Sequence, residues 1–162
     1  MKLTAVYPIS ANPPTNGHAD ILVRSATKFE HVYWIAARNI LKELFFSDEE
    51  RIKMMQMYVE HHNLRNVTVE SFDHAIMRYA KVRGASFLVR GLRNTTDFQL
   101  EIEMASANRM INQEIETICF LSQPDYAMMS SSIVRELARL HEGFGKYVIP
   151  PVEEFIKKKI GW

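Results

Sequence analysis

A single cysteine, Cys119, in 162 residues excludes an intramolecular disulfide framework and fits a reducing compartment. No GxGxxG and no GxxxxGK[ST] occurs, so neither of those phosphate-binding loops is available. Internal repeats, low-complexity tracts and Ser/Gly linkers are lacking as well, which leaves no domain boundary and one expected domain over residues 1–162. No apolar run approaches membrane-span length, and the one in "MKLTAVYPIS" is too short for a signal peptide. The net charge of only +1 argues against a nucleic-acid partner, which usually shows as a strongly basic domain or stripe. With 47% hydrophobic and 24% charged residues the chain has a globular balance and enough length for a proper core. A cytoplasmic protein without nucleic-acid or membrane partners is expected.

Present instead is a regular alternation of β-rich and amphipathic runs. "LTAVYP", "HVYWIAA", "NVTVESF", "SFLVRG" and "IETICFL" read as strands, each followed by a helix. Ser47 with Glu50 makes a capping-box signature before "DEERIKMMQMYVEHH". Further helices are expected over "DFQLEIEMASANRMI", "SSSIVRELARL" and "PPVEEFIKKKI", the last with Pro150 and Pro151 at its entrance. The alternation predicts an α/β fold with a five-stranded parallel sheet and helices on both faces. Ligands of such sheets bind beyond the carboxyl ends of the strands, where strand order reverses. Attention therefore falls on residues 10–18, 38–42, 73–76, 90–93 and 126–132.

Four of these five segments carry groups suited to a polyanion. In "YPISANPPTNGHADI", Pro13 and Pro14 forbid a continuing strand, and a helix restarts at Gly17-His18. Unpaired backbone N–H groups at a helix start favour anionic phosphate. Lys42 follows the second strand, Arg90 and Arg93 flank Gly91-Leu92, and Ser130, Ser131 and Ser132 open another helix. Arginine offers phosphate a planar fork and lysine a mobile point charge. Each signal alone has a plainer reading as a cap or a solvated cation; their joint appearance at strand ends favours a phosphate site. His61-His62 has no cysteine or carboxylate at ligand spacing. Met54, Met55 and Met57 read as core filler, and Cys119 as a buried, inert thiol.

"TNGH" at residues 15–18 matches the (H/T)xGH signature of the nucleotidylyltransferase superfamily, and "MSSSIVRE" at 129–136 resembles its second, serine-rich signature. "FLVRGLRNTTDFQLEIEMASANRMI" at 87–111 resembles the RGLRxxxDFxxExxMAxxNR region of the bacterial phosphopantetheine adenylyltransferase family. Lys42 and Tyr79-Ala80 also fall at matching positions, and the resemblance runs essentially end to end. It implies a Rossmann-like fold, ATP and 4′-phosphopantetheine as substrates, dephospho-CoA and pyrophosphate as products, Mg²⁺, and a homohexamer. It further implies catalytic roles for His18, Lys42 and Arg90. ATP would be bound by Ser10, Ala11, His18, Gly91, Leu92, Arg93, Glu101 and the run Tyr126, Ala127, Met128, Met129, Ser130, Ser131 and Ser132. The acceptor would be bound by Ser10, Lys42, Ile76 and Arg90. The family's YPGTFDPxTxGH is here "YPISANPPTNGH", with Ile9 for glycine, Ser10 for threonine, Ala11 for phenylalanine and Asn12 for aspartate. Two other readings stay open: a related nucleotidylyltransferase with another phosphorylated acceptor, and a nucleotide- or CoA-binding homologue with impaired catalysis.

Overall fold

A computed structural model describes residues 3–38 and 44–162. The five β-rich runs form Thr4–Ile9 (β1), His31–Ala37 (β2), Val67–Phe72 (β3), Phe87–Leu92 (β4) and Glu116–Leu121 (β5). All pair in parallel, in the order β3-β2-β1-β4-β5. The helices are Asn16–Ala26 (α1), Asp48–His61 (α2), Ile76–Val82 (α3), Thr95–Ile111 (α4), Ser131–Arg139 (α5) and Pro150–Ile160 (α6). Each expected strand and named helix is found within a few residues of its expected ends. Among the described residues, no helix is long and apolar enough to cross a membrane.

Two cores sandwich the sheet. On one face α1, α2, α5 and α6 bury Leu22, Met54, Met55, Tyr58, Val134 and Ile156 against Tyr7, Trp34 and Val89. On the other, α3 buries Met77 and Ala80 against Val6, Ile35 and Leu88. Successive crossovers of one hand place α1 and α2 on one side while the chain moves from β1 to β3. The chain then returns past β1 to β4, and α3 must cover the opposite face. Strand order therefore reverses between β1 and β4.

Pro8 opens that reversal point. The β1–β2 ladder continues to Ile9 opposite Ala36, whereas the β1–β4 ladder reaches only Val6 opposite Leu88. Proline has no N–H to give. In place of a ladder amide, the Pro8 carbonyl accepts a bond from Arg90 Nη1 at 3.2 Å. The two central strands part there and leave a crevice.

Gly91 closes the floor of the crevice. A Cβ at this position would stand 3.2 Å from Cγ1 of Ile21, a buried residue of α1. That is tighter than packed carbon atoms tolerate without displacement. Gly91→Ala is expected to lower stability by about 1 kcal/mol, read as a lower Tm, and Ile21→Val in the same chain should recover part of the loss. An unchanged Tm for the single variant would show that α1 has slack against the sheet.

One expectation is corrected at the sheet edge. Cys119 is exposed rather than buried, because β5 is an edge strand and α4 lies over it loosely. Of the 17 residues of α4 only Glu101 and Asn108 are buried. Phe98, Leu100, Ile102, Met104, Met110 and Ile111 stay exposed.

Candidate functional site

The crevice between β1 and β4 widens into a cleft of about 500 Å³. Its wall is built from the ends of β1, β2 and β4 and from the starts of α1 and α5. Ser10, His18, Arg38, Arg90, Gly91, Arg93, Glu101, Met129 and Ser130–Ser132 all line it. Segments more than a hundred residues apart thus meet where the strand order predicts a ligand.

His18 occupies the third position of α1, after the N-cap Thr15. The Thr15 backbone N–H donates to His18 Nδ1 at 3.0 Å, and the Thr15 hydroxyl lies 3.0 Å from the same atom. An atom that accepts an amide proton carries none of its own. The neutral ring therefore holds its proton on Nε2, the nitrogen left free of the cap. Desolvation, followed by the positive charges of Arg93 and Arg90, pushes the His18 pKa down to about 4. The imidazole is then a neutral donor across the physiological range.

This shift has a sign for stability. The unfolded chain takes up the proton first, near the ordinary histidine value of about 6.5. His18 therefore withdraws stability as pH falls from there toward about 4 and nothing further below it. The His18 Cε1 proton is expected to titrate near pH 4 by NMR. A midpoint at the ordinary value would show a ring free to accept a second proton.

The arginines are held by carboxylates on α4. Arg90 Nε donates to Glu101 Oε2 at 2.8 Å while Nη2 donates to Oε1. Arg93 Nε and Nη2 reach Asp97 at 3.0 and 3.3 Å, and Nη1 donates to the Met129 carbonyl at 2.9 Å. Asp97 and Glu101 stand one helical turn apart, so both pairs form from one face of α4. Asn94 caps the helix, its side chain accepting the Asp97 N–H at 2.8 Å. Arg38 adds a third cation at the end of β2. Three arginines against two carboxylates leave the described lining positive, as an anionic ligand requires.

The serine run fastens the opposite wall. Ser130 is the N-cap of α5 and accepts the Ile133 N–H at 3.2 Å. Ser131 Oγ donates to the Pro13 carbonyl at 2.7 Å, and Arg135 donates to the Asn12 carbonyl and to Ser132 Oγ. The start of α5 is thereby tied to the loop before α1, so two helix N-termini share one cleft. First-turn N–H groups lack intrahelical partners and carry the positive end of the helix dipole.

Other expected residues lie elsewhere. Ala11 is fully buried at a φ of 49°, with its methyl in the core. Leu92 is buried, and Met128 is 82% exposed. Tyr126 and Ala127 are half-buried beside the cleft, Tyr126 lying behind Gly17. None of these five is in the lining. Ile76 begins α3, packs against the second core on the opposite face of the sheet, and is not in the lining. Lys42 lies outside the described residues.

The departures in the first loop are packing positions. Ile9 is buried in the main core while still touching the cleft. Asn12 is buried, and its Oδ1 accepts the N–H groups of Phe45 and Phe46 at 3.0 and 3.2 Å. It anchors the segment before α2.

Arg51, outside the segments that follow the strands, also reaches the cleft wall. This residue of α2 has no exposed surface. Its guanidinium reaches the ends of both β1 and β2, where Nη1 donates to the Ser10 carbonyl at 2.8 Å and the Ala37 carbonyl at 3.0 Å. The signal was present in the chain: Arg51, Met54, Met55 and Tyr58 form one buried stripe at helical spacing.

A family model described as cytidylyltransferase-like matches residues 6–137. Among solved structures, the chain is similar to a candidate nicotinate-nucleotide adenylyltransferase from Vibrio parahaemolyticus, with a TM-score of 0.75 and 16% identity over 99% of this chain and 94% of that one. It is also similar to the nicotinic acid mononucleotide adenylyltransferase of Plasmodium falciparum. In the complex with NaAD the TM-score is 0.75 at 13% identity, over 98% of this chain and 96% of that one. In the complex with APC it is 0.72 at 12% identity, with the same coverage. At these identities the likeness establishes the fold, a single Rossmann-like α/β layer structure.

Proposed function

We propose, since the chain belongs to the cytidylyltransferase-like family, that it transfers the adenylyl group of ATP to 4′-phosphopantetheine. An oxygen of the acceptor phosphate attacks the α-phosphorus of ATP. The bond from that phosphorus to the bridging oxygen breaks, and pyrophosphate leaves with the electron pair. Dephospho-CoA remains. The attacking oxygen is already ionised near neutral pH, so the reaction asks for alignment and charge stabilisation rather than a general base.

The observation that carries this reading is His18, fixed by Thr15 as a neutral Nε2–H donor among arginines and two helix starts. Such a donor suits charge that shifts among phosphoryl oxygens during transfer. Arg90 and Arg93 would supply forks for phosphate once they exchange carboxylate oxygens for phosphate oxygens. The identity of the acceptor rests on the resemblance over residues 87–111, which contributes both arginines and both carboxylates.

Among the described residues, no three His, Cys, Asp or Glu side chains converge on a point. Both carboxylates of the cleft are engaged by arginines. These groups do not fit a resident Mg²⁺ site, and Mg²⁺ would enter as the counterion of ATP. A homohexamer follows from the same resemblance, and the exposed apolar residues of α4 offer surface that an assembly would cover.

Pyrophosphate release from ATP tests the proposal, with 4′-phosphopantetheine as acceptor and nicotinate mononucleotide as its rival. Release with phosphopantetheine alone is expected. Release only with the mononucleotide would move the chain to a different acceptor, and ATP binding without release would mark an impaired homologue.

A further inference from the structure

Arg51 presents a problem of energy. Burying a guanidinium is costly unless its partners compensate. Here compensation is incomplete. Nη2 donates to Asp48 Oδ1 at 2.8 Å, but the Asp48 side chain is 43% exposed and so gives a partly solvated counter-charge. Arg51 Nε is buried with no partner. An apolar residue would continue the Met54–Met55 stripe at less cost to the fold. What an apolar residue cannot supply is the pair of bonds from Nη1.

Those bonds end on two strands that share the cleft. Ser10 is the first residue after β1 and Ala37 the last of β2, and both line the cleft, as does the adjoining Arg38. The carbonyls lie where the β1–β2 ladder has run out, its last pair being Ile9 and Ala36. Beyond that pair, no ladder fixes the separation of the two chain segments, and a single nitrogen of Arg51 bridges them.

We infer that Arg51 is a positioning residue of the transfer site: its buried guanidinium ties the carbonyls of Ser10 and Ala37 and so holds Ser10 and Arg38 in place on the cleft wall. The inference rests on the transferase reading for its effect on turnover, but the tie itself can be observed without turnover. Reacting groups displaced by a fraction of their contact distance lose much of their rate, so a loosened wall acts chiefly on turnover.

Arg51→Met removes the bridge and leaves an unbranched apolar side chain of similar volume that ends short of the two carbonyls. Its Tm is expected to change little, since the lost bonds are offset by the burial cost of the charge that goes with them and Asp48 is left partly solvated. The ¹³C carbonyl resonances of Ser10 and Ala37 should move upfield as they lose their donors. Pyrophosphate release should fall about 100-fold in kcat/KM, mostly in kcat, with Arg51→Lys recovering part of it. A merely structural arginine would instead lower Tm and leave the folded enzyme's turnover intact. Wild-type carbonyl shifts overturn the inference, and so do displaced shifts with wild-type kcat/KM. If the wild-type protein turns over neither acceptor, the transferase reading falls and the carbonyl shifts alone decide the tie. Should Arg51→Met not fold, Arg51→Lys carries both readouts: displaced shifts with lowered turnover support the tie, and wild-type values of both overturn it.

Discussion

Replacing His18 by alanine is expected to lower kcat by about 100- to 1000-fold, or roughly 3–4 kcal/mol of barrier, while ATP affinity changes far less. The reason lies in which nitrogen faces which neighbour. Nδ1 is committed to the Thr15 amide, and its proton-bearing counterpart Nε2 remains for the ligand. An interaction that strengthens only as the phosphoryl group transfers lowers the barrier without tightening the ground state. His18 also completes a cap, so alanine should cost about 1 kcal/mol of stability for a separate reason. His18→Glu distinguishes the two roles. A glutamate at the third helical position can still accept the N-cap amide, so its Tm should exceed that of the alanine variant. It brings a negative charge where a phosphate is expected, and turnover should stay as low or fall further. Steady-state kinetics beside thermal melts read both quantities. An alanine variant with wild-type kcat would reduce His18 to a cap and remove the group that carries the proposed function.

The elements themselves were legible because their signals are local. Period-2 and period-3.6 patterns, the Ser47–Glu50 box and the prolines before α6 each act within a few residues. All correspond to observed features. The parts of the site that were legible, the Gly17-His18 helix start and the serine run, are also local helix-start signals. Partnerships across the chain were not legible. Glu101 carries no mark that its oxygens will face Arg90 rather than a ligand. Ile9 and Asn12 stand in the loop that leads to the Gly17-His18 helix start, yet Ile9 joins the main core and Asn12 holds the segment before α2, which only the tertiary structure shows. Cys119 sat in an apolar run, and only the sheet order makes β5 an edge. The role of Pro8 depends on the sheet order in the same way. A proline near the end of a strand reads as a stop, but its effect here is one-sided: the ladder to β2 continues and the ladder to β4 does not.

Arg90→Ala should produce two losses of different origin, and a second substitution can separate them. Arg90 is bonded through Nε and Nη2 to Glu101, a carboxylate that is only 8% exposed. Removing one partner of such a pair leaves a desolvated charge without compensation, a loss of roughly 3 kcal/mol for a buried pair and somewhat less where the arginine is partly solvated. The Arg90→Ala variant should therefore melt well below wild type. Its second loss is functional. Without the guanidinium the cleft keeps its carboxylates and loses a phosphate fork, so KM for 4′-phosphopantetheine should rise more than the Kd for ATP. Arg90→Ala with Glu101→Gln removes the stranded charge and should recover much of the Tm. It restores no fork, so the acceptor KM should remain high. Calorimetry with ATP, acceptor kinetics and thermal melts on the three variants resolve the matter. If KM recovers together with Tm in the double variant, Arg90 serves only to anchor α4, and the acceptor phosphate must be held by other groups.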